Sequence, residues 1–212
     1  MTSGLSTYAP SWVKLDESRF PRACKRMAGG RLETADVISL FNGEQTNKAD
    51  QTAFATLMRH LKHVDGQDNT VIMVQVENEI GLLGDSRDGS PGADKAFHEP
   101  VPDDLIDFIK SNWDTLHSDF QSNLAVARSA PEFTHGLSWE KTFGVSKQTD
   151  ELFMAYHYAK YVEVIAAAGK AEYPLPMYTN VWMNYVSEDA DNNFPVSNCT
   201  TETFRIAIAD IL

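Results

Sequence analysis

The stretch VIMVQVENEIG, residues 71–81, decides the fold that the sequence predicts. Its first six residues are nearly all apolar and rich in β-branched side chains, which is typical of a strand covered on both faces. Two acids and an amide follow at once, as Glu77, Asn78 and Glu79. Because parallel sheets and barrels bind ligands at the carboxyl ends of their strands, the stretch predicts a buried strand that opens into a functional site.

Helices and strands alternate on either side of this stretch. A helix capped by Asn47 is predicted, since apolar residues recur at three- and four-residue spacing as far as Val64. Two more helices are predicted over 103–113 and 150–168, and a second buried strand over 175–182. Alternation of this kind indicates an α/β fold with parallel strands.

The composition is that of a globular chain, with 42% of the 212 residues hydrophobic and 23% charged. The formal net charge of −12 argues against nucleic acid and anionic membranes as partners, because this surface would repel both. A neutral partner such as a sugar meets no such repulsion. The longest apolar runs are too short to cross a bilayer, and the first residues do not form a signal peptide. The six histidines show no metal-binding spacing, so neither a metal nor another cofactor is predicted.

The two acids of the stretch, Glu77 and Glu79, can be interpreted in two ways. Side chains alternate along a strand, so both acids would lie on one face, with Asn78 on the other. Charged groups are costly to bury there unless they are paired or functional. Either these acids are strand-end residues neutralised by helix caps or arginines, or they belong to a catalytic site.

At these residues the sequence resembles the retaining glycoside hydrolases that share a (β/α)8 barrel. The segment VQVENEIG, residues 74–81, is similar in particular to the β-galactosidases of glycoside hydrolase families 35 and 42. Residues 8–14, 138–144 and 177–182 are also similar to segments of such proteins. The resemblance extends from residue 3 to about residue 186.

The resemblance implies a partial (β/α)8 TIM barrel over residues 1–186, followed by an atypical tail over 187–212. It also implies an enzyme that hydrolyses terminal β-D-galactosides with retention of configuration. Two clear strands cannot close a parallel barrel. The sequence is therefore expected to be a fragment, truncated at both ends.

Roles for the residues of the motif are implied as well. Glu79 matches the general acid/base, which gives a proton to the leaving glycosidic oxygen and then takes one from water. Asn78 matches the residue that hydrogen-bonds the sugar 2-hydroxyl, and Glu77 is expected to support substrate binding. Retention needs a second carboxylate about 5 Å from the first as nucleophile. None is assigned, because neither Glu188 nor Glu202 follows a convincing buried strand.

Aromatic residues outside the motif are candidates for stacking against a sugar ring. They are Trp12, Trp139, Tyr178 and Trp182, with Asn180 alternating onto the face of Tyr178 and Trp182. For each of them core packing is the alternative, since aromatic side chains dominate protein cores. The predicted substrate-binding set comprises Trp12, Glu77, Asn78, Tyr178, Asn180 and Trp182.

Other functions stay open at this point. The missing strands and nucleophile also fit a catalytically incompetent fragment, or a remnant that binds sugar without cleaving it. A carbohydrate is the expected partner of both the enzyme and the remnant. An unrelated α/β binding protein would require the match of residues 74–81 to be accidental.

Overall fold

A computed structural model describes residues 9–41, 44–82, 84–116, 118–125 and 133–180 of the chain. Seven helices and four short strands lie in this part of the protein. The strands are β1 (Arg22–Arg26), β2 (Leu32–Ile38), β3 (Val74–Gln75) and β4 (Met177–Tyr178). The helices are α1 (Ser11–Lys14), α2 (Glu44–Asp65), α3 (Pro91–His98), α4 (Asp103–Asn112), α5 (Ser118–Ala125), α6 (Trp139–Phe143) and α7 (Lys147–Glu172).

The core is built around α7. The helix begins where the Ser146 hydroxyl accepts a hydrogen bond from the Thr149 N–H at 3.1 Å, which satisfies one of the free amides of its first turn. Phe153 is fully buried on this helix. Its ring stacks on Phe41 with centroids 5.0 Å apart, and it meets the Trp139 ring edge-on at 5.1 Å. Aromatic pairs in these geometries add to the free energy gained from burial alone.

Helix α2 packs against α7, and the two approach closely at Gly169. A Cβ atom on Gly169 would lie 2.3 Å from the Phe54 ring and 3.0 Å from Met58 Cγ, both of which belong to α2. Atoms cannot approach to 2.3 Å without displacing one another. The separation of the two helices therefore depends on the missing side chain at position 169.

Strands β3 and β4 pair in parallel, with Val74 opposite Met177 and Gln75 opposite Tyr178. The ladder continues one residue further, because the Val76 N–H donates to the Tyr178 carbonyl at 2.8 Å. Parallel pairing brings the carboxyl ends of both strands to the same edge. The segments that follow β3 and β4 are therefore neighbours.

The other sheet is the antiparallel β1–β2 hairpin, which turns through Gly29 and Gly30. These glycines have φ angles of 76° and 78°, in the left-handed region that glycine enters at no steric cost. Arg26 anchors the hairpin, with its guanidinium 2.7 Å from the Asp85 carboxylate and 2.8 Å from that of Asp150. Since Asp150 lies in the first turn of α7, this network ties the hairpin to the core.

The partial TIM barrel predicted from the sequence is wrong. The strands of the described residues form two separate two-stranded sheets and no barrel. The predicted strand over 71–76 is reduced to Val74–Gln75. Ile72 and Met73 are 73% and 50% exposed, so this apolar run is not covered on both faces, as the wall of a parallel barrel would be.

The three predicted helices are confirmed as α2, α4 and α7. The predicted cap is wrong, because α2 begins at Glu44 and Asn47 therefore lies inside it, and α7 begins earlier than predicted, at Lys147. The second predicted strand is present as Met177–Tyr178, and residues 181–212, which include the predicted tail, lie outside the described residues. Within the described part of the chain, no helix combines the length and apolar character needed to span a membrane.

Replacing Gly169 by alanine should destabilise the protein. Alanine favours a helix by about 1 kcal/mol over glycine. Its Cβ, however, would collide with Phe54, and overpacking of a core commonly costs about 1–3 kcal/mol. We expect Gly169→Ala to lower the free energy of unfolding by about 1 kcal/mol in urea denaturation. In a Phe54→Ala background the same change should be neutral or stabilising, and an equal loss in both backgrounds would contradict the close contact.

Candidate functional site

The residues after β3 leave the extended conformation at once. Glu77 and Glu79 have φ angles of 57° and 48°, in the left-handed region that costs a residue with a Cβ atom about 1 kcal/mol or more. The expectation that strand alternation would place both acids on one face is therefore wrong. A turn brings them together instead, since both line the same cavity.

A cluster of side-chain amides holds this turn in place. The Glu79 N–H donates to Asn180 Oδ1 at 2.9 Å, which links the turn to the segment after β4. The Gln75 amide donates to the Glu77 carbonyl at 2.8 Å and to Asn78 Oδ1 at 3.0 Å. These bonds offset the strain of the left-handed residues, because they give main-chain groups of the turn partners that a strand would otherwise supply.

The cavity has a volume of about 440 Å³, within the range of small-molecule sites in proteins. The turn after β3 forms one side of it, α2 and α7 contribute polar groups, and residues of α1 and β2 contribute apolar ones. The lining residues that can exchange or share protons with a ligand are Thr46, Asp50, Glu77, Asn78, Glu79, Tyr158 and Tyr161. Apolar lining residues include Val13, Phe20, Val37, Ile38, Leu40 and Ile80.

The surroundings of Glu77 favour its protonated form. Its side chain is half-buried, and burial together with the charge of Asp50 raises the pKa of Glu77 to about 7. None of the described residues that line the cavity is a lysine, arginine or histidine. Without a neighbouring cation to stabilise the carboxylate, Glu77 retains its proton up to neutral pH.

Asp50 is the second half-buried carboxyl group of the cavity. Burial raises the pKa of Asp50, and a hydrogen bond from the Tyr161 hydroxyl partly offsets that effect. Burial, and secondarily the charge of Asp50, raises the pKa of the Tyr161 phenol, so that group keeps its proton and acts as the donor. Asp50 is thus a carboxylate held in one orientation by a neutral phenol.

Glu79 lines the same cavity with an exposed side chain, and so does Asn78. The three motif residues predicted as catalytic or substrate-binding, Glu77, Asn78 and Glu79, are therefore brought to one cavity. An exposed acid beside a half-buried acid is an arrangement in which the two groups differ in their contact with water. Such a difference in environment is what separates the roles of paired carboxyl groups in proton-transfer sites.

The other residues predicted to bind sugar do not join this group. Asn180 serves the turn through its hydrogen bonds, and Tyr178 is 41% exposed on β4; neither lines the cavity. Trp12 is 56% exposed and packs edge-on against Phe20 with ring centroids 5.5 Å apart. Trp139 is 1% exposed and belongs to the core, so of its two alternatives core packing is the one observed. Trp182 lies outside the described residues.

Asp50, Tyr158 and Tyr161 were missed by the sequence analysis. Asp50 lies three and four residues before Ala53 and Phe54, at the spacing that defines the apolar stripe of α2. An acid on such a stripe is an available signal for a functional group, because burying it costs free energy. The tyrosines of α7 carried no comparable signal, since aromatic residues on a helix of this kind are usually part of the core.

Metal-ion chemistry has no support in this part of the chain: the described residues contain no group of three or more histidine, cysteine, aspartate or glutamate side chains placed to hold an ion. Comparisons of the sequence with protein-family models and with curated proteins found no match. The assignment of a function therefore depends on the resemblance of the motif and on the geometry of the cavity.

Replacing Glu79 by glycine should stabilise the protein while removing a cavity carboxyl group. Glycine relieves the left-handed strain at this position, which exceeds the entropic cost of the more flexible unfolded chain. We expect the free energy of unfolding to rise by about 0.5–1 kcal/mol in urea denaturation. The control is Gln67→Gly, at an exposed turn residue outside the left-handed region, which should lower it. Equal losses in both variants would contradict the strain at Glu79.

Proposed function

We propose that this protein is a glycoside hydrolase of the β-galactosidase type, which hydrolyses terminal β-D-galactosides with retention. Glu79 is assigned as the general acid/base. The observation that carries the proposal is the cavity of about 440 Å³ at the Glu77-Asn78-Glu79 turn, lined by three carboxyl groups. Most glycoside hydrolases use a pair of carboxyl groups at the substrate-binding cavity as their catalytic groups.

A neutral sugar suits the electrostatics of this cavity. Carboxylates and phenols accept and donate hydrogen bonds, which matches the hydroxyl groups of a sugar. An anionic ligand would meet Asp50 and Glu79 with no described cation among the lining residues, and the chain has a formal net charge of −12. The apolar lining residues, such as Phe20 and Ile80, provide contact for the C–H face of a sugar ring.

The proposed reaction uses Glu79 twice. Its carboxylic acid donates a proton to the glycosidic oxygen as the bond from that oxygen to the anomeric carbon breaks. Retention requires that a second carboxylate, which is not assigned among the described residues, bonds to the anomeric carbon as that bond breaks. The carboxylate of Glu79 then accepts a proton from the water that displaces this second carboxylate from the anomeric carbon, so the proton of Glu79 is restored. The exposed position of Glu79 leaves room for an aglycone that extends into solvent. No nucleophile is assigned, and Glu188 and Glu202 lie outside the described residues.

Binding of sugar without cleavage is the second candidate function. The observation that favours it is that burial and the charge of Asp50 raise the pKa of Glu77, the residue expected to support substrate binding, to about 7. A general acid needs its proton at the working pH, and Glu79 is an exposed carboxyl group. In this alternative the cavity binds a galactoside and releases it unchanged.

Glu79→Gln should lower kcat for β-galactosides that have poor leaving groups by about 10²–10⁴-fold, since amide cannot donate the proton. Substrates with strongly acidic leaving groups, such as dinitrophenol, need little proton donation and should lose much less. The measurement is the hydrolysis rate of a series of aryl β-galactosides whose leaving groups differ in pKa.

Glu99→Gln is the matched control, because Glu99 is an exposed glutamate at the end of α3 and does not line the cavity. It should leave every rate unchanged. Rates of Glu79→Gln near those of the wild type across the series would contradict the role of Glu79. Retained galactose binding with no hydrolysis by the wild-type chain would favour the second candidate.

A further inference from the structure

The carboxyl group of Glu77 lies at the cavity and accepts no hydrogen bond from the described residues. Its backbone carbonyl accepts a hydrogen bond from the Gln75 amide at 2.8 Å, so the main chain is fixed. Among the described residues, however, no hydrogen bond to the Glu77 carboxyl oxygens accompanies its partial burial; its electrostatic neighbour is the acid Asp50. A half-buried polar group without a protein partner calls for another partner, such as water or a ligand.

The titratable groups around Glu77 come from three elements. Asp50 faces the cavity from α2, Tyr158 and Tyr161 from α7, and Glu79 from the turn that carries Glu77 itself. Tyr161 already donates its hydroxyl proton to Asp50. Tyr158 is 8% exposed, and burial, together with the charges of Asp88 and Glu151, raises the pKa of its hydroxyl. The described lining residues therefore offer acceptors and neutral donors but no cation.

We propose that Glu77 binds the ligand as a neutral carboxylic acid, which donates a hydrogen bond to a sugar hydroxyl. That hydroxyl in turn donates a hydrogen bond to Asp50, so the cavity releases the sugar when Glu77 ionises. The choice of a sugar rests on the proposed function. A hydroxyl group between two carboxyl groups has one hydrogen to give. When Glu77 is protonated, that hydroxyl donates to Asp50 and accepts from Glu77, and both bonds are formed. When Glu77 is ionised, two acceptors compete for one hydrogen and two negative charges face one another.

The burial of Glu77 and the charge of Asp50 place this change near neutrality, since they raise the pKa of Glu77 to about 7. Because the pKa of Glu77 is raised, ligand binding is strong at low pH and weakens at high pH. Below pH 7 the acid is protonated and ligand binding is at its full strength. As the pH rises through 7 the proton is lost and binding weakens. If only the protonated form binds, the affinity at pH 8.5 is about 30-fold lower than at pH 5.5.

The experiment measures the affinity of the full chain for galactose between pH 5.5 and 8.5 by isothermal titration calorimetry or NMR. Wild-type affinity should fall by about 30-fold over this range, with its midpoint near pH 7. Glu77→Gln keeps a neutral donor of nearly the same shape, so it should bind galactose with the same affinity at both ends of the range. Glu99→Gln, at an exposed glutamate away from the cavity, should keep the wild-type profile.

A second measurement does not depend on any ligand. A ¹³C NMR titration of the Glu77 carboxyl group should have its midpoint near pH 7 in the wild type and at lower pH in Asp50→Asn, which removes the neighbouring charge. The proposal would be overturned if wild-type affinity for galactose did not vary with pH, or if the wild type did not bind galactose at pH 5.5. It would also be overturned if the affinity of Glu77→Gln still changed near pH 7 as in the wild type. Failure of the hydrolase assignment looks different, because it leaves pH-dependent galactose binding without turnover.

Discussion

The contact between α2 and α7 is the constraint on which the cavity depends. Asp50 belongs to the first half of α2, whereas Tyr158 and Tyr161 belong to the middle of α7, so these groups meet only if the helices lie close together. Gly169 permits that approach, since the Phe54 ring occupies the space that a side chain would take. The hydrogen bond from Tyr161 to Asp50 then forms across the helix pair. Packing of two helices thus determines which polar groups face a ligand.

Half-buried acids are treated differently in two parts of the fold: those near the hairpin are paired with arginines, whereas those of the cavity have no described cation among the lining residues. Around the hairpin, Arg26 and Arg87 both contact Asp150, and these close ion pairs compensate the cost of burying charge. In the cavity, Asp50 and Glu77 are half-buried beside each other with no described cation among the lining residues. A structural role alone would favour pairing these acids in the same way. The absence of a cation among the described lining residues is why we interpret the cavity, and not the arginine network, as the functional part of the molecule.

The sequence predicted local structure better than it predicted the assembly of that structure. Helices α2 and α7 followed from apolar spacing, because a helix that packs against a core repeats apolar residues every three or four positions. The barrel did not follow. The apolar run over 71–76 is compatible with a strand covered on both faces, yet Ile72 and Met73 are largely exposed, and no periodicity within one segment reports what covers it. Closure of a barrel depends on strands distant in the sequence.

The candidate site was predicted in part for the same reason. Glu77, Asn78 and Glu79 are adjacent in sequence, so their arrival at one cavity needed only a turn after β3. Asp50 and Tyr161 are 111 residues apart in the sequence, and their proximity at the cavity is a product of tertiary packing. For Trp139 the sequence left both stacking against a sugar and core packing open, and its burial in the core decides for packing.

Loss of the barrel changes what the acids of the motif can be argued to do. In a barrel, the roles of Glu77 and Glu79 would follow from their place on a strand, and that argument no longer applies. What remains is the environment of each group: a turn with two left-handed residues, a half-buried acid beside another acid, and an exposed acid at the same cavity. Proton affinity is set by such surroundings and not by fold topology, so function has to be argued from the site. A strained turn that places the half-buried Glu77 beside Asp50, where no described cation lines the cavity, is costly for stability. That cost is understandable if a ligand hydrogen-bonds the Glu77 carboxyl group.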